Sequence, residues 1–258
     1  MPDYATWLAA IRGSHDRMSG LLADLSDEQI RMRSYADEWS VADVASHLGS
    51  QAEIFDLFLT AGLDGTEPPD GDVFVPIWDR WNAMPPREQV TASVQGDERL
   101  VSRLEKLTDE QESSFTLSLF GTDLDAAGFA SMRLGEHALH TWDIAVALDP
   151  AAQVAPDAVE LLVDTLPATA ARAGQPVPGG TPVTIVTSDP LRTYAVELNP
   201  AVTLTPRDSV GPDAGVVQLP AEAFLRLVAG RLDPEHTPLG VDDPADHLDQ
   251  LRQAFPGF

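Results

Sequence analysis

The chain of 258 residues contains no cysteine. It therefore has no disulfide framework, no thiolate ligand for a metal ion and no sulfur nucleophile of its own. Any thiol chemistry carried out by this protein requires a thiol supplied by a second molecule.

Basic residues are also scarce, since 16 lysines and arginines stand against 41 aspartates and glutamates. Lys106 is the only lysine, and the formal net charge at pH 7 is −25. Charge of this sign repels phosphate backbones and anionic lipid surfaces at long range. We therefore expect neither nucleic acid nor a membrane as a partner.

Long apolar runs are absent as well. No segment approaches the roughly 18 consecutive apolar residues of a membrane-spanning helix. Residues 1–18 lack the basic stretch and apolar run of a signal peptide. We therefore expect a cytoplasmic protein. With 43% hydrophobic residues, the chain is long enough for one large domain or two of ordinary size.

The first half of the sequence carries apolar residues at helical spacing and predicts a helix bundle. Ser40 and Asp43 approximate a capping box at the start of one helix. Prolines and glycines punctuate residues 65–86, which predicts a long loop with a short element at residues 77–81. The four predicted helices cover residues 4–25, 40–62, 87–107 and 124–148.

The second half changes character after residue 150. A helix is predicted over residues 156–173, followed by a Pro/Gly-rich connection. Short segments rich in Val, Ile and Thr then predict four strands, at residues 182–188, 192–198, 201–206 and 215–219. Helical periodicity returns over residues 220–232 and 243–255. The pattern predicts an α+β protein, with an all-α first domain and an α+β second domain.

Three residues describe an open metal site. Glu136 and His140 stand four apart on one predicted helix, so their side chains share a face. His47 lies on the apolar stripe of another helix and points into the bundle. A glutamate is rarely buried unless it is paired or bound to a metal. Two imidazoles and one carboxylate are typical of a catalytic zinc site, which keeps a position for water or a ligand.

Two segments carry a resemblance to a known family. Residues 39–48, WSVADVASHL, and 135–143, GEHALHTWD, resemble the N-terminal domain of the mycothiol-dependent maleylpyruvate isomerase family, a branch of the DinB-like metal-binding bundles. Residues 219–222 and 224–231 are similar to that family's sterol-carrier-like C-terminal domain. The resemblance implies a DinB-like four-helix bundle at residues 1–150, followed by a smaller sterol-carrier-like α+β domain at residues 151–258.

The same resemblance implies Zn²⁺, or another divalent metal, held by His47, Glu136 and His140, with mycothiol as thiol cosubstrate. In the family's isomerase chemistry a thiolate adds to a cis double bond and is expelled after rotation, whereas in transferase relatives the adduct is kept. A cation favours the thiolate over the thiol. The ion could instead polarise a carbonyl or activate water, and the sequence leaves these roles open.

Three further residues each allow two interpretations. Asp143, one turn beyond His140, either orients that ligand or lies at the surface. Arg80 either clamps a substrate carboxylate or stacks on a neighbouring tryptophan. Arg231 either stabilises a helix end or, as the resemblance implies, reaches the site from the second domain. His137 is a competing imidazole whose direction is rotated about 100° from Glu136, and we place it on the flank.

The remaining histidines, His15, His236 and His247, have no partner pattern and are expected at the surface. The leading function is thiol-dependent isomerisation or thiol transfer on a small electrophile. A binding protein for metal or a small ligand, without turnover, and a thiol-independent zinc hydrolase are the alternatives. We expect a monomer or a small homo-oligomer.

Overall fold

A computed structural model describes residues 2–36, 38–119, 121–210 and 215–257. The chain divides into two compact units, Met1–Val154 and Ala155–Phe258. The first unit is mainly helical and the second combines helices with a sheet, so the predicted α+β class is confirmed. Among the described residues, no helix combines the length and apolar character that crossing a membrane requires.

The first unit is built on four long helices that pack as a bundle. Helix α2 packs against α4 and α6, and α1 packs against α4 and α6. Two shorter helices, a 3₁₀ turn (Gln29–Arg31) and a two-stranded antiparallel hairpin also belong to this unit. Of these, the sequence pattern predicted only a short element at residues 77–81, which lies within the first of the two helices. The elements are α1 (Tyr4–Ala23), α2 (Val41–Asp64), α3 (Gly71–Asn82), α4 (Pro86–Leu104), α5 (Asp109–Ser114), β1 (Leu117–Leu119), β2 (Thr122–Leu124) and α6 (Ala126–Leu148).

The start of α2 follows directly from its sequence. The Ser40 side chain accepts a hydrogen bond from the backbone of Asp43, and the Asp43 carboxylate accepts one from the backbone of Ser40. This capping box satisfies two backbone groups that would otherwise lack partners. The helix then buries Val44 and Leu48 in the core cluster of the bundle. Because His47 lies between them on the chain, the cap helps fix where its ring is placed.

The long loop predicted over residues 65–86 is wrong, because α3 occupies most of it. Asp70 caps the helix by accepting from the backbone of Asp72, and Pro76 lies inside the helix. An internal proline costs about 3 kcal/mol of helix stability. Burial of Trp81 offsets that cost, since its ring fills the space that a side chain at Gly49 would occupy.

The second unit contains a four-stranded sheet in the order β5-β4-β3-β6. Strands β3 and β6 pair in parallel, and the other neighbours are antiparallel. All four predicted strands are present, whereas the predicted helix over 156–173 is divided by a 3₁₀ turn. The elements are α7 (Pro156–Leu162), α8 (Leu166–Ala173), β3 (Val183–Ser188), β4 (Arg192–Glu197), β5 (Thr203–Pro206), β6 (Gly215–Pro220), α9 (Ala221–Val228) and α10 (Leu248–Ala254).

A buried ion network crosses the interior of the bundle, centred on Asp97. One carboxylate oxygen of Asp97 accepts from Nη2 of Arg133 at 2.6 Å, and the other lies 2.7 Å from Nδ1 of His15 and 2.9 Å from Nε2 of His137. Arg133, His137 and Asp97 are fully buried, and His15 is 4% exposed. The expectation that His15 lies at the surface is therefore wrong.

The protonation of this network follows from its geometry. Nδ1 of His137 lies 2.8 Å from the Ser14 hydroxyl, and burial lowers the pKa of His137. Hydrogen bonding to Asp97 raises the pKa of His15. Burial by itself would raise the pKa of Asp97, but the imidazole of His137, the positive charge of Arg133 and the hydrogen bonds to the carboxylate outweigh it. Together they hold the pKa of Asp97 well below its ordinary value.

Two adjacent carboxylates provide a matched test of this network. We expect Asp97→Asn to lower the free energy of unfolding by about 3–5 kcal/mol, because it leaves the buried charge of Arg133 uncompensated. Glu98, whose side chain is 45% exposed, pairs with Arg12 and touches the network only at its edge, 3.0 Å from Nε2 of His15. We expect Glu98→Gln to cost at most about 1 kcal/mol. Urea denaturation measures both values, and equal losses would contradict the assignment.

The network also predicts a dependence of stability on pH. The folded-state pKa of Asp97 lies below the unfolded value near 3.8, so the unfolded chain binds this proton more readily. The contribution of Asp97 is therefore complete above that value and is lost as the pH falls below it. We expect the stability difference between the wild type and Asp97→Asn to narrow below pH 3.8. Denaturation curves at a series of acidic pH values measure it, and a constant difference would contradict the ionised Asp97.

Candidate metal centre

The structure brings His47, Glu136 and His140 together. Ligand atoms from all three lie within 4.8 Å of one another. Nε2 of His47 and Nε2 of His140 lie 3.8 Å and 3.7 Å from Oε2 of Glu136. Ligand atoms about 2.1 Å from a tetrahedral zinc are about 3.4 Å apart, so these spacings fit a single ion. Helix α2 supplies one ligand and α6 supplies two that are four residues apart.

The chemistry of these donors also fits a cation. Nε2 of His47 is buried and has no hydrogen-bond partner within the described part of the chain. Burial lowers the pKa of His47, which leaves the ring neutral with a lone pair available. Burial opposes ionisation of Glu136, but the imidazoles of His47 and His140 outweigh it and lower the pKa of Glu136 to about 2. The cluster therefore presents two imidazole nitrogens and one carboxylate.

Asp143 lies behind His140, on the side away from the cluster. Its Oδ2 accepts from Nδ1 of His140 at 2.8 Å, and the residue is fully buried. Since Nδ1 carries the proton, the lone pair is on Nε2, which faces Glu136. Carboxylates in this position commonly orient histidine ligands of metal ions. Asp143 is therefore not at the surface, and its role as an orienting acceptor stays a prediction.

A pocket of about 510 Å³ opens beside His47. Trp39 covers its inner end, because the indole lies 5.1 Å from the His47 ring and 6.4 Å from the His140 ring. Trp78 of α3 contributes a second aromatic wall. Sequence reasoning assigned Trp39 no role, although an exposed tryptophan directly before a helix cap was a signal. The lining residues are Glu38, Trp39, Asp43, His47, Ser50, Gln51, Trp78 and Asn82.

Arg80 does not line this pocket. Its guanidinium donates to the carboxylate of Glu53, which also accepts from Nε1 of Trp81 at 3.2 Å. Glu53 is a partner that sequence reasoning missed, and it lies on α2 one turn from the pocket residues. The predicted role of Arg80 as a clamp for a substrate carboxylate stays a prediction.

The other singled-out residues lie elsewhere. Arg231 belongs to the second unit, where its Nη1 donates to the carbonyl of Ala229 at 3.0 Å, and its role at the site stays a prediction. His137 points to Asp97, in keeping with its predicted rotation away from Glu136. His236 and His247 are half-buried rather than fully exposed.

The fold and the donor set define a helix-bundle protein with a candidate metal centre. Residues 11–145, just over half of the chain, match the family model described as the mycothiol maleylpyruvate isomerase N-terminal domain. The chain belongs to this family, and the resemblance noted in the sequence is confirmed.

Two solved structures share the fold. One is titled a crystal structure of the mycothiol-dependent maleylpyruvate isomerase; it has a TM-score of 0.65 and 17% identity, over 94% of this chain and 93% of that one. The other is a histidine-to-alanine mutant under the same name, with a TM-score of 0.63 and 17% identity over 89% and 90%. A search of curated protein sequences found no match.

Substitutions in the cluster test its affinity for metal. We expect Asp143→Ala to weaken zinc binding by about 10–100-fold, because the His140 ring loses its orienting acceptor. His47→Ala and His140→Ala each remove a ligand and are expected to weaken binding further. Competition titration against a chromogenic chelator measures the affinities. His236→Ala is the control, since His236 also pairs with an aspartate but lies outside the cluster. Unchanged affinity in His47→Ala would contradict the assignment.

Proposed function

We propose that this protein is a zinc-dependent enzyme that uses a low-molecular-weight thiol, mycothiol, to isomerise or conjugate a small electrophile. The observation that carries the proposal is the convergence of two imidazoles and one carboxylate beside a pocket of about 510 Å³. Membership of the family supports the thiol requirement. The absence of cysteine is in keeping with it, because the nucleophile must come from a cosubstrate.

Each residue of the site has a defined task in this proposal. His47, Glu136 and His140 hold the metal, and Asp143 orients the His140 ring by accepting from Nδ1, so that Nε2 faces Glu136. When bound, a divalent cation favours the thiolate over the thiol, whose ordinary pKa near 8.5 keeps it mostly protonated at neutral pH. Trp39 covers both imidazole rings and limits the access of water to them.

The proposed isomerisation regenerates its nucleophile. A carbon–sulfur bond forms at one carbon of an activated cis double bond, and the π electron pair moves towards the electron-withdrawing group. Rotation then occurs about the resulting single bond. The same carbon–sulfur bond breaks, the double bond re-forms as trans, and the thiolate leaves unchanged. If a proton reaches the carbanionic carbon first, the adduct persists and the reaction is a thiol transfer.

The remaining assignments of the proposal concern substrates and setting. Maleylpyruvate is the substrate named for the structural relatives, and for this chain it is one candidate electrophile. We propose a small-molecule electrophile and a thiol as the only partners, in keeping with the net charge of −25. A cytoplasmic location and a monomer or small homo-oligomer stay predictions.

Activity assays separate the proposed function from its alternatives. We expect zinc-loaded protein to isomerise or conjugate at least one member of a panel of maleyl-type and other small electrophiles, and only when mycothiol is added. His47→Ala, which loses a ligand, is expected to reduce kcat/KM by at least about 100-fold. His236→Ala is the matched control and should retain activity. Ester hydrolysis without thiol would instead support a zinc hydrolase. Metal-dependent ligand binding without turnover would support a binding protein.

A further inference from the structure

The pocket beside His47 has an unusual distribution of charge for a site that takes a dicarboxylate. Two of the lining residues, Glu38 and Asp43, are exposed carboxylates at the pocket wall. The other polar lining residues, Ser50, Gln51 and Asn82, are uncharged. None of the described lining residues is an arginine or a lysine. The wall therefore offers an incoming anion no opposite charge.

Three arginines near the pocket do not neutralise the two carboxylates in its lining. Arg80 is the closest along α3, but Glu53 accepts from its guanidinium. Arg133 lies in the interior, where its charge is balanced by Asp97. Arg33 pairs with Ser40 through a backbone bridge, and its side chain is not part of the pocket lining. Within the described part of the first unit, Glu38 and Asp43 are thus the charged groups that line the pocket.

The inference rests on the proposed function, in which a zinc ion is bound. This ion does not give an incoming anion a net positive charge to meet. A zinc ion carries two positive charges, and one of these is balanced by Glu136 and the other by a bound thiolate. An electrophile that approaches the loaded site therefore meets a neutral centre and a negatively charged wall.

Two tryptophans in the pocket lining indicate which uncharged groups a ligand presents to it. Trp39 and Trp78 are 37% and 40% exposed, although large aromatic side chains are usually buried. Their faces offer flat, apolar surfaces to a ligand within the pocket. We infer that this pocket takes an uncharged electrophile with a planar or apolar face, and that it discriminates against dicarboxylates such as maleyl compounds with free acids.

A pair of substrates that differ only in charge tests this inference. Dimethyl maleate is uncharged, maleate is a dianion at neutral pH, and both isomerise by the same addition, rotation and expulsion of a thiol. Each enzymatic rate is divided by the uncatalysed rate with the same thiol, because the diester is intrinsically more reactive. We expect the rate enhancement for the diester to exceed that for maleate by at least about tenfold.

Variants of Glu38 test whether its carboxylate causes the preference for the diester over maleate. Glu38→Gln is expected to narrow the preference for the diester by about three- to tenfold, and Glu38→Arg to narrow it further. Asp43 is left unchanged because it forms the capping box of α2. Glu110→Gln is the control, since it removes the same charge from the exposed first turn of α5. An effect of equal size in Glu110→Gln would assign the selectivity to the net charge and overturn the inference.

Quenching of tryptophan fluorescence by charged ions measures the charge of the pocket lining without any turnover. Trp7, Trp81 and Trp142 are at most 4% exposed, so collisional quenchers act mainly on Trp39 and Trp78. At low ionic strength we expect the ratio of caesium to iodide quenching to be higher for the protein than for free N-acetyltryptophanamide. Glu38→Arg should raise iodide quenching by about two- to fivefold, whereas Glu110→Gln should leave it nearly unchanged.

The two measurements distinguish the failure of the inference from that of the proposed function. Equal or greater enhancement for maleate, or iodide quenching that does not respond to Glu38→Arg, would overturn the inference while the thiol-dependent function stands. If thiol-dependent turnover of either substrate is absent, the proposed function fails. The quenching ratios then still decide whether the wall excludes anions.

Discussion

The first unit depends on one buried carboxylate. Asp97 is enclosed where α1, α4 and α6 meet, and a carboxylate in that position is tolerated only when opposite charge and hydrogen bonds surround it. Arg133 of α6 supplies the opposite charge, and its Nη2 also lies 3.5 Å from the carbonyl of Leu48 in α2. Since Leu48 follows His47 and Arg133 precedes Glu136 by one turn, the network couples the two helices that carry the candidate ligands.

The site combines a rigid interior with a more open face. Asp143 and His140 are fixed by a hydrogen bond inside the bundle, whereas the Glu136 side chain is 41% exposed. Trp39 packs beside both imidazoles and, like His47, lines the pocket. In the proposed chemistry the protein holds a cation and excludes water, while the thiol and the electrophile arrive from outside. A chain without cysteine is consistent with that division.

Much of this architecture was predictable, and the errors have specific causes. The helix carrying Glu136 and His140 follows from local periodicity, and the family resemblance was confirmed. The prediction of a loop over α3 failed because the cost of Pro76 was considered without the burial of Trp81. His15 was expected at the surface because its partner, Asp97, lies 82 residues away in the sequence. Periodicity within one helix carries no information about such a partner.

The sequence by itself determined the scarcity of basic charge, the lack of an internal thiol, the amphipathic helices and the shared face of Glu136 and His140. These properties follow from composition or from the fixed geometry of one helix. Only the tertiary structure decided that His47 lies 3.8 Å from Glu136, and that the carboxylate of Glu38 lines the pocket. Distances between elements depend on the packing of residues far apart in the chain, and the side-chain volumes and ion pairs that set them act only after the helices have assembled.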